Sequence, residues 1–385
     1  MLSDVYLSYL MKNIINMKIA VIHFSDIHFK EGLNSIMKKR DKLFEAIRNE
    51  VLECKGIFIV ISGDVAFSGK ATEYDIAKVF IDDIVVKLKG YSDRKVDILI
   101  VPGNHDCNFV YNNQARSNQI NIIQRLGESV IDDSVIDQCV EVQKEFYLFR
   151  KKIQPDENLV HENKIISIYD FEICGKVVSF HCYNTAYMSE IHEENGKLFY
   201  SIDSLPSGVF QKKTDLVISI FHHPFHCFNP TNRRDFSTHI NKTSDFYLTG
   251  HEHQFSGEKI EDLNGNIVYH LEGSVLQNSE NIFESEYSVI KFDLDDEVYS
   301  ASKYVFENDM YKIKFKHDEW VNYKRGRNKV KLKYSLTDNF CEILKDAGGK
   351  FRHPSKSNIT LYDVYVYPNL KNIIKKTNLM RMSHT

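Results

Sequence analysis

Residues 21–29 read VIHFSDIHF, an apolar run that ends in a histidine, an aspartate and a second histidine. The run from 18 to 24 is almost continuously apolar and β-branched, which predicts a strand covered on both faces. The same character returns in GIFIVIS (56–62) and VDILIVP (96–102). Residues 37–54 and 71–89 carry apolar side chains at helical spacing. The chain is therefore predicted to open as β-α-β-α-β, a layered α/β architecture.

Length, charge and cysteine content narrow the class of protein. At 385 residues the chain is long enough for one large domain and a smaller appendage. A net charge of -4 with 26% charged residues gives no bulk basicity that would indicate nucleic-acid binding. The seven cysteines are scattered and never in CxxC spacing, which argues against a disulfide scaffold and a zinc ribbon and favours a reducing cytoplasm.

Neither a secretion signal nor a membrane span is expected. The segment MLSDVYLSYLMKNIINMK at 1–18 has an early acidic residue and no clean apolar core or small-residue cleavage site. No later stretch is apolar enough to span a membrane. We therefore predict a cytoplasmic protein without membrane contact.

The middle of the chain changes character twice. Residues 107–153 mix Asn, Gln and charged residues with apolar residues at helical spacing, which predicts a helical insertion over the sheet edge. Strand-like runs resume from 164 to 294 and are spaced closely enough to form a second sheet with fewer helices. Two packed sheets flanked by helices would accommodate this pattern.

Polar side chains follow the carboxyl ends of several predicted strands, which converge on one crevice in an open α/β sheet. Carboxylate, imidazole and amide ligands without thiolates suit divalent ions such as Mn, Fe, Zn or Ni. Seven candidates are more than one ion needs and suit two ions that share a bridging carboxylate. The candidates are Asp26, His28, Asp64, Asn104, His222, His251 and His253.

Five short blocks in order carry a family resemblance: SDIH (25–28), GD (63–64), GNHD (103–106), HHP (222–224) and GHEH (250–253). Together they resemble the calcineurin-like metallophosphoesterase superfamily over roughly residues 17–295. The resemblance implies a four-layer α/β/β/α sandwich, with a catalytic domain at 17–300 that contains the helical insertion. Residues 301–385 would form a small C-terminal extension.

The resemblance also implies how the ligands divide between two divalent ions. Asp26, His28 and His253 would hold one ion. Asn104, His222 and His251 would hold the other. Asp64 would bridge the two.

The remaining positions of the blocks would act on the substrate or shape the loops. The resemblance implies that His105 faces the substrate, stabilises the phosphoryl oxygens and protonates the leaving group without binding metal. Asp106 would orient its imidazole, as carboxylates commonly do. The glycines that precede ligands, Gly63, Gly103 and Gly250, would allow positive φ and close backbone approach in sharp turns.

The implied reaction is phosphoester hydrolysis by a hydroxide that two metal ions activate. The helical insertion and the short segment between HHP and GHEH resemble cyclic-nucleotide phosphodiesterases and nucleases, which favours a phosphodiester in a nucleotide or nucleic acid by analogy. One alternative is a phosphomonoesterase, including a protein phosphatase. Another is a non-catalytic scaffold in which the metals hold the fold and the C-terminal part binds a partner; a non-ligating His105 argues against it.

Other polar residues have both a structural and a functional interpretation. His23 is favoured as a core histidine, and His223 as at most a support for the ligands. Arg116 could meet a phosphate in a bidentate way, although a solvated helix face is favoured. Asn184 could point into the site or close a turn. Residues 351–370 resemble connectors that precede NTPase modules in bacterial defence proteins, so the extension could contact a second copy or a defence-system partner.

Overall fold

A computed structural model describes residues 17–92, 94–263, 265–278, 280–316 and 320–323 of the protein. The predicted β-α-β-α-β opening is confirmed. It consists of β1 (Lys18–Phe24), α1 (Ser35–Val51), β2 (Gly56–Ile61), α2 (Ala71–Ser92) and β3 (Val96–Ile100). These three strands run parallel, as their α-helical connections require.

The first sheet is completed by strands from the far end of the described chain. They are β11 (Glu286–Asp293), β12 (Val298–Glu307), β13 (Met310–Lys316) and β14 (Val321–Asn322). Strand β11 pairs antiparallel with β1, which gives the order β13-β12-β11-β1-β2-β3, with β14 on β12. Strand β1 therefore lies at the centre of the sheet.

The predicted insertion contains α3 (Gln114–Leu126), α4 (Asp133–Val140) and α5 (Lys144–Ile153). Asn113 caps α3 by accepting a hydrogen bond from the Arg116 backbone, and Asp132 caps α4 in the same way. Helix α5 packs into the core beside α2, whereas α3 and α4 pack into the core of the second sheet. The insertion therefore spans both outer layers.

The second sheet has seven strands in the order β4-β5-β6-β7-β8-β10-β9. Its elements are β4 (Leu159–Glu162), β5 (Ile166–Ile173), β6 (Lys176–Tyr183), β7 (Leu216–Ile220), α6 (Pro230–Thr243), β8 (Phe246–Thr249), β9 (Gly257–Glu261) and β10 (Ile267–Glu272). Strands β6, β7, β8 and β10 run parallel, so their carboxyl ends lie at one edge.

Alternation of side chains along the strands produces three layers of core. Ile19 and Val21 of β1 face the second sheet, whereas Ile22 faces the helices α1 and α2. The outer face of the second sheet packs against Phe236 and Ile240 of α6. The predicted four-layer α/β/β/α sandwich is confirmed.

The domain boundary predicted between 300 and 301 falls inside β12. Tyr304 of β12 is buried, stacks on Tyr287 with ring centroids 4.9 Å apart, and donates a hydrogen bond to Glu50 at 2.6 Å. Tyr311 of β13 is buried as well. The stretch YKIKFK, residues 311–316, belongs to β13 at the edge of the first sheet, and of these residues all but Tyr311 are exposed. The predicted extension beyond residue 323 lies outside the described residues.

Among the described residues, none of the helices combines the length and apolar character that a membrane crossing would need.

Candidate metal centre

All seven predicted ligands meet in one crevice at the carboxyl ends of strands from both sheets. Asp26 and His28 follow β1, Asp64 follows β2, Asn104 follows β3, His222 follows β7, and His251 and His253 follow β8. Each apolar run forms a buried strand, and the loop that carries the polar ligands begins where that strand ends.

Three of the side chains form a first group around Asp26. Its Oδ1 atom lies 3.3 Å from Nε2 of His253 and 4.0 Å from Nε2 of His28. Nε2 of His28 is also 3.8 Å from Oδ2 of Asp64. The ligand atoms of Asp26, His28 and His253 all lie within 4.8 Å of one another, which is a geometry that one cation could occupy.

A second group surrounds Nε2 of His222. This atom lies 3.1 Å from Oδ1 of Asn104 and 3.3 Å from Nδ1 of His251. It is also 3.4 Å from Oδ2 of Asp64. The same carboxylate oxygen of Asp64 therefore faces both groups, as a bridging ligand would.

Each carboxylate uses one oxygen for the protein and presents the other to the imidazoles. Oδ2 of Asp26 accepts hydrogen bonds from the backbone of His251, at 3.2 Å, and from the hydroxyl of Ser25. Oδ1 of Asp64 accepts one from the backbone of His105 at 2.9 Å. These contacts fix both carboxylates with their remaining oxygen directed at the crevice.

The backbone of the ligand loops supports the same conclusion. Positive φ is uncommon outside glycine and costs about 1–3 kcal/mol where the conformation is strained, although Asp and His tolerate it better than most residues. Such residues cluster at functional sites. Five of the seven predicted ligands have positive φ: Asp26, His28, Asp64, His251 and His253.

The two ligand groups are strongly coupled electrostatically. Burial opposes ionisation of Asp64, but the neighbouring His222 outweighs burial and holds the pKa of Asp64 well below its ordinary value. Burial also opposes a charge on His222, but Asp64 raises the pKa of that imidazole to about 10. Without an ion, a proton on the His222 ring balances the negative charge of Asp64. A divalent cation could take the place of that proton, so the donor set fits such an ion.

The orientation of His222 fits metal binding as well. Its Nδ1 lies 2.8 Å from the carbonyl oxygen of Ser62, which can only accept, so the ring donates there. If an ion replaced the proton on Nε2, that nitrogen would offer it a lone pair on the side of Asp64 and Asn104.

Three glycines make room for these contacts. A Cβ atom on Gly63 would lie 2.4 Å from Nδ1 of His222, and one on Gly103 would lie 2.1 Å from Oδ1 of Asp64. A Cβ atom on Gly250 would lie 2.0 Å from the hydroxyl of Ser25. Positive φ, predicted for all three, occurs at Gly63 but neither at Gly103, whose φ is -103°, nor at Gly250. What the three glycines share is therefore the close approach of a neighbouring side chain, which leaves no room for a Cβ atom.

His105 stands beside the first group, with its ring centroid 4.6 Å from that of His28. Its Nδ1 donates a hydrogen bond to the carbonyl of Phe67 at 2.7 Å. The ligand atoms of His105, His28 and Asp64 lie within 4.8 Å of one another. Nε2 is therefore the nitrogen of His105 that is left to contact a molecule bound in the crevice.

The prediction that Asp106 orients the His105 ring is wrong. The buried carboxylate of Asp106 accepts hydrogen bonds from the backbones of Gly103 and Ala66, both at 2.9 Å, and from the hydroxyl of Tyr74 at 2.9 Å. Burial and the nearby Asp64 raise the pKa of Asp106 to about 6. Asp106 therefore joins the loops after β2 and β3, and Phe67 orients the ring.

The structure also shows which interpretation applies to three residues outside the five sequence blocks. Arg116 is buried and donates to the carbonyls of Cys139, Tyr187 and Ser189, so both the phosphate contact and the solvated helix face are wrong. Asn184 donates to Gln143 and to the carbonyl of Lys164, and its Oδ1 accepts from the backbone of Ala186, so it closes a turn. His23 is a core histidine, as expected, with Nε2 2.8 Å from the hydroxyl of Ser62.

Glu193 is a residue of the site that the sequence did not reveal. Its Oε2 lies 3.2 Å from Nε2 of the fully buried His223, whose Nδ1 is 3.1 Å from the hydroxyl of Thr185. The ring of His223 packs against that of His251 with centroids 4.9 Å apart. His223 thus supports a predicted ligand, and Glu193 adds negative charge nearby. The segment 184–198 has no motif or periodicity that would have predicted this.

Comparison with known proteins identifies a family and a curated relative. The family model of the calcineurin-like phosphoesterases matches residues 19–255. The uncharacterized metallophosphoesterase-like protein YydB of Bacillus subtilis (strain 168) is 27% identical over 256 residues, which cover 62% of this chain and 50% of that protein. The chain therefore spans about half the length of this curated relative.

Solved structures of Vps29 from Entamoeba histolytica also align with the chain. A single mutant of that protein has 10% sequence identity and a TM-score of 0.32, and the alignment covers 79% of this chain and 99% of Vps29. The wild-type protein complexed with Zn²⁺ has 11% identity and a TM-score of 0.31, with the same two coverages.

Proposed function

Because this chain belongs to the calcineurin-like phosphoesterase family of metal-dependent phosphoric ester hydrolases, we propose that it hydrolyses phosphodiester bonds in nucleotides or nucleic acid. The observation that carries the proposal is the position of Asp64, whose Oδ2 lies 3.8 Å from His28 and 3.4 Å from His222. A carboxylate oxygen between two groups of ligands supports a pair of divalent ions, Mn, Fe, Ni or Zn.

The proposed ligands keep the division that the sequence suggested. Asp26, His28 and His253 would hold one ion, Asn104, His222 and His251 the other, with Asp64 shared. When bound, two such ions would supply an activated hydroxide and stabilise charge on the phosphoryl oxygens. The hydrogen bonds from His251 to Asp26 and from His105 to Asp64 hold the carboxylates in place for this chemistry.

His105 is proposed as the residue that serves the leaving group. Because its Nδ1 donates to the Phe67 carbonyl, Nε2 would carry the second proton of the imidazolium form, and that proton would pass to a departing oxygen and leave the ring neutral. Its ring lies beside His28, so a phosphate at the metal centre would be within its reach. Asp106 acts through the backbone, by holding the turn that carries His105.

Acidic residues beside the proposed ligands support the choice of a diester over a monoester. Glu193 and Glu194 line a pocket together with Asn104 and His251, two of the proposed ligands. A phosphomonoester dianion carries one more negative charge than a diester, and carboxylates that line the same pocket would disfavour that charge. The same carboxylates would disfavour a phosphoprotein substrate.

Bis-p-nitrophenyl phosphate and p-nitrophenyl phosphate separate the alternatives. The purified protein, stripped with chelator and reloaded with Mn²⁺ or Ni²⁺, is expected to cleave the diester faster than the monoester. A faster monoester reaction would instead establish a phosphomonoesterase. A fully metal-loaded protein that cleaves neither compound would be a metal-stabilised scaffold.

Two further proposals concern location and partners. The six cysteines of the described residues, Cys54, Cys107, Cys139, Cys174, Cys182 and Cys227, are free thiols, which supports a reducing, cytoplasmic location. We also propose that the C-terminal extension contacts a second copy of the chain or a defence-system partner. Most of that extension lies outside the described residues.

A further inference from the structure

A pocket of about 330 Å³ opens directly beside the metal centre, on the side of His105. Asn104 and His105 form its inner wall, so the pocket is continuous with the proposed ligands. Its volume is at the lower end of the range of about 300–1,000 Å³ found for small-molecule pockets. The pocket can therefore hold one substituent of a molecule whose phosphate lies at the metals.

The outer wall of the pocket is apolar and comes from three separate loops. Phe67, Val110 and Ile191 line it and are 43%, 83% and 68% exposed. Large apolar side chains gathered at one exposed place commonly mark a binding site. The ring of Phe67 lies 5.5 Å from that of His105, so an aromatic surface extends from the pocket to the crevice.

The charges around the pocket limit what it can hold. Lys70 is the basic residue of the lining, and Glu190 is its acidic residue. Glu190, Glu193 and Glu194 also line an adjoining pocket. A nucleic-acid strand that continued past this point would bring further phosphates, which bind where cations neutralise them. The surroundings suit a single uncharged group better than a continuing strand.

We propose that this pocket binds the planar aromatic group of a small phosphodiester, a nucleobase at one ester arm, while the phosphate lies at the metal centre. The inference rests on the proposed function and narrows its substrate to a single nucleotide unit. Stacking on aromatic and apolar side chains is favourable for every base, because each base offers a flat π-face. Phe67 supplies the aromatic face, and Val110 and Ile191 enclose the group.

Adenosine 5′-monophosphate and ribose 5-phosphate test the pocket because they differ only by the base. Their inhibition constants are measured on the metal-loaded protein with bis-p-nitrophenyl phosphate as substrate. The nucleotide should bind more tightly than the sugar phosphate. Ile191→Ser and Val110→Ser should each reduce this advantage about three- to tenfold, the effect expected from losing one apolar contact.

Val86→Ser is the matched control, because Val86 is an exposed valine, 69% accessible, on the helix α2. It should leave the ratio of the two inhibition constants unchanged. Equal constants in the wild-type protein, or an unchanged ratio in both pocket variants, would overturn the proposal. Tighter binding of a single-stranded oligonucleotide than of the mononucleotide would overturn it as well.

Failure of the proposed function would be recognised separately. If the metal-loaded protein does not cleave bis-p-nitrophenyl phosphate, the hydrolytic function fails. Calorimetric titration of the same two ligands, with the same three variants, then measures the pocket without any turnover. A base-dependent affinity that the pocket variants reduce would still support the pocket, and its absence would reject it.

Discussion

Oδ2 of Asp64 lies 3.4 Å from Nε2 of His222 and 3.8 Å from Nε2 of His28, and all three side chains are buried. These two histidines belong to different ligand groups and follow strands of different sheets. One carboxylate oxygen thus joins the two halves of the sandwich at the crevice. Its charge is the feature that a pair of cations would share.

Replacing Asp64 with Asn should therefore reduce both metal content and turnover. The amide keeps an oxygen that can accept from the His105 backbone but loses the shared negative charge. We expect fewer than two divalent ions per chain by elemental analysis, and a fall in diester hydrolysis of roughly a hundredfold.

Asp293→Asn is a suitable control for Asp64→Asn. Asp293 is also buried, but it lies on β11 opposite Lys18 in the strand register. It is therefore at the start of β1, at the opposite end of that strand from Asp26. It should bind metal and turn over substrate like the wild-type protein. Wild-type metal content together with a wild-type rate in Asp64→Asn would contradict the bridging role.

The ligand positions could be predicted from sequence because the relevant relationship is local. Asp26 and His28 sit within a few residues of the end of a recognisable apolar strand, and parallel strands end at one edge. Asp106 shows where local reasoning fails. It follows His105 directly, but in the tight turn Asn104–Asp106 the two side chains point to different partners.

Other relationships depend on loops that carry no sequence signal. Glu193 meets His223, and Ile191 reaches the pocket beside His105, only because the segment 184–198 folds back over the crevice. Arg116 binds the carbonyl oxygen of Ser189, 73 residues away. No periodicity or motif specifies such contacts, because tertiary packing alone decides them.

Truncation at two positions should distinguish the first sheet from the C-terminal extension. Ending the chain after residue 300 removes most of β12 and all of β13, together with the buried Tyr304 and Tyr311. Loss of these side chains exposes the core beside α1, so the truncated protein should fail to fold, as measured by circular dichroism and thermal unfolding.

Ending the chain after Tyr323 should have a different result. Tyr323 is buried and packs against Phe246, with ring centroids 5.4 Å apart, so the core between the sheets keeps its described residues. Hydrolysis of bis-p-nitrophenyl phosphate should be retained, while self-association or partner binding should weaken. A folded, active protein after truncation at 300, or an unfolded one after truncation at 323, would contradict this.

His239 should make stability depend on pH. Burial lowers the pKa of its imidazole to about 4, and Nε2 lies 3.0 Å from the hydroxyl of Tyr183. The unfolded chain takes up the proton near pH 6.5 and the folded chain only near pH 4. The stability contributed by the neutral ring is therefore present above pH 6.5 and lost as the pH falls towards 4.

His239→Gln removes this titration. The free energy of unfolding of the wild-type protein should fall by on the order of 2 kcal/mol more than that of the variant between about pH 7 and about pH 4.5. Urea unfolding with chelator present measures the difference without a contribution from bound metal. His192→Gln, at an exposed histidine, is the control and should follow the wild-type protein. Parallel curves for His239→Gln and wild type would reject the prediction.

The last prediction concerns the proton that His105 would give to the leaving oxygen. An alkoxide such as a ribose oxygen leaves poorly without protonation, whereas p-nitrophenolate leaves readily as an anion. General acid catalysis of this kind contributes roughly a hundred- to ten-thousandfold. His105→Gln should therefore cost much more on a nucleotide diester with an alkoxide leaving group than on bis-p-nitrophenyl phosphate.

Metal content distinguishes this role from that of a ligand. Because Nδ1 of His105 is engaged by the Phe67 carbonyl and neither proposed ligand group includes His105, His105→Gln should keep about as much metal as the wild-type protein. Loss of metal would make His105 a ligand. Equal losses of rate on both substrates, with metal retained, would show that the ring stabilises charge on the phosphoryl oxygens, because that contribution does not depend on the leaving group. Only a selective loss on the alkoxide substrate, with metal in place, identifies His105 as the proton donor.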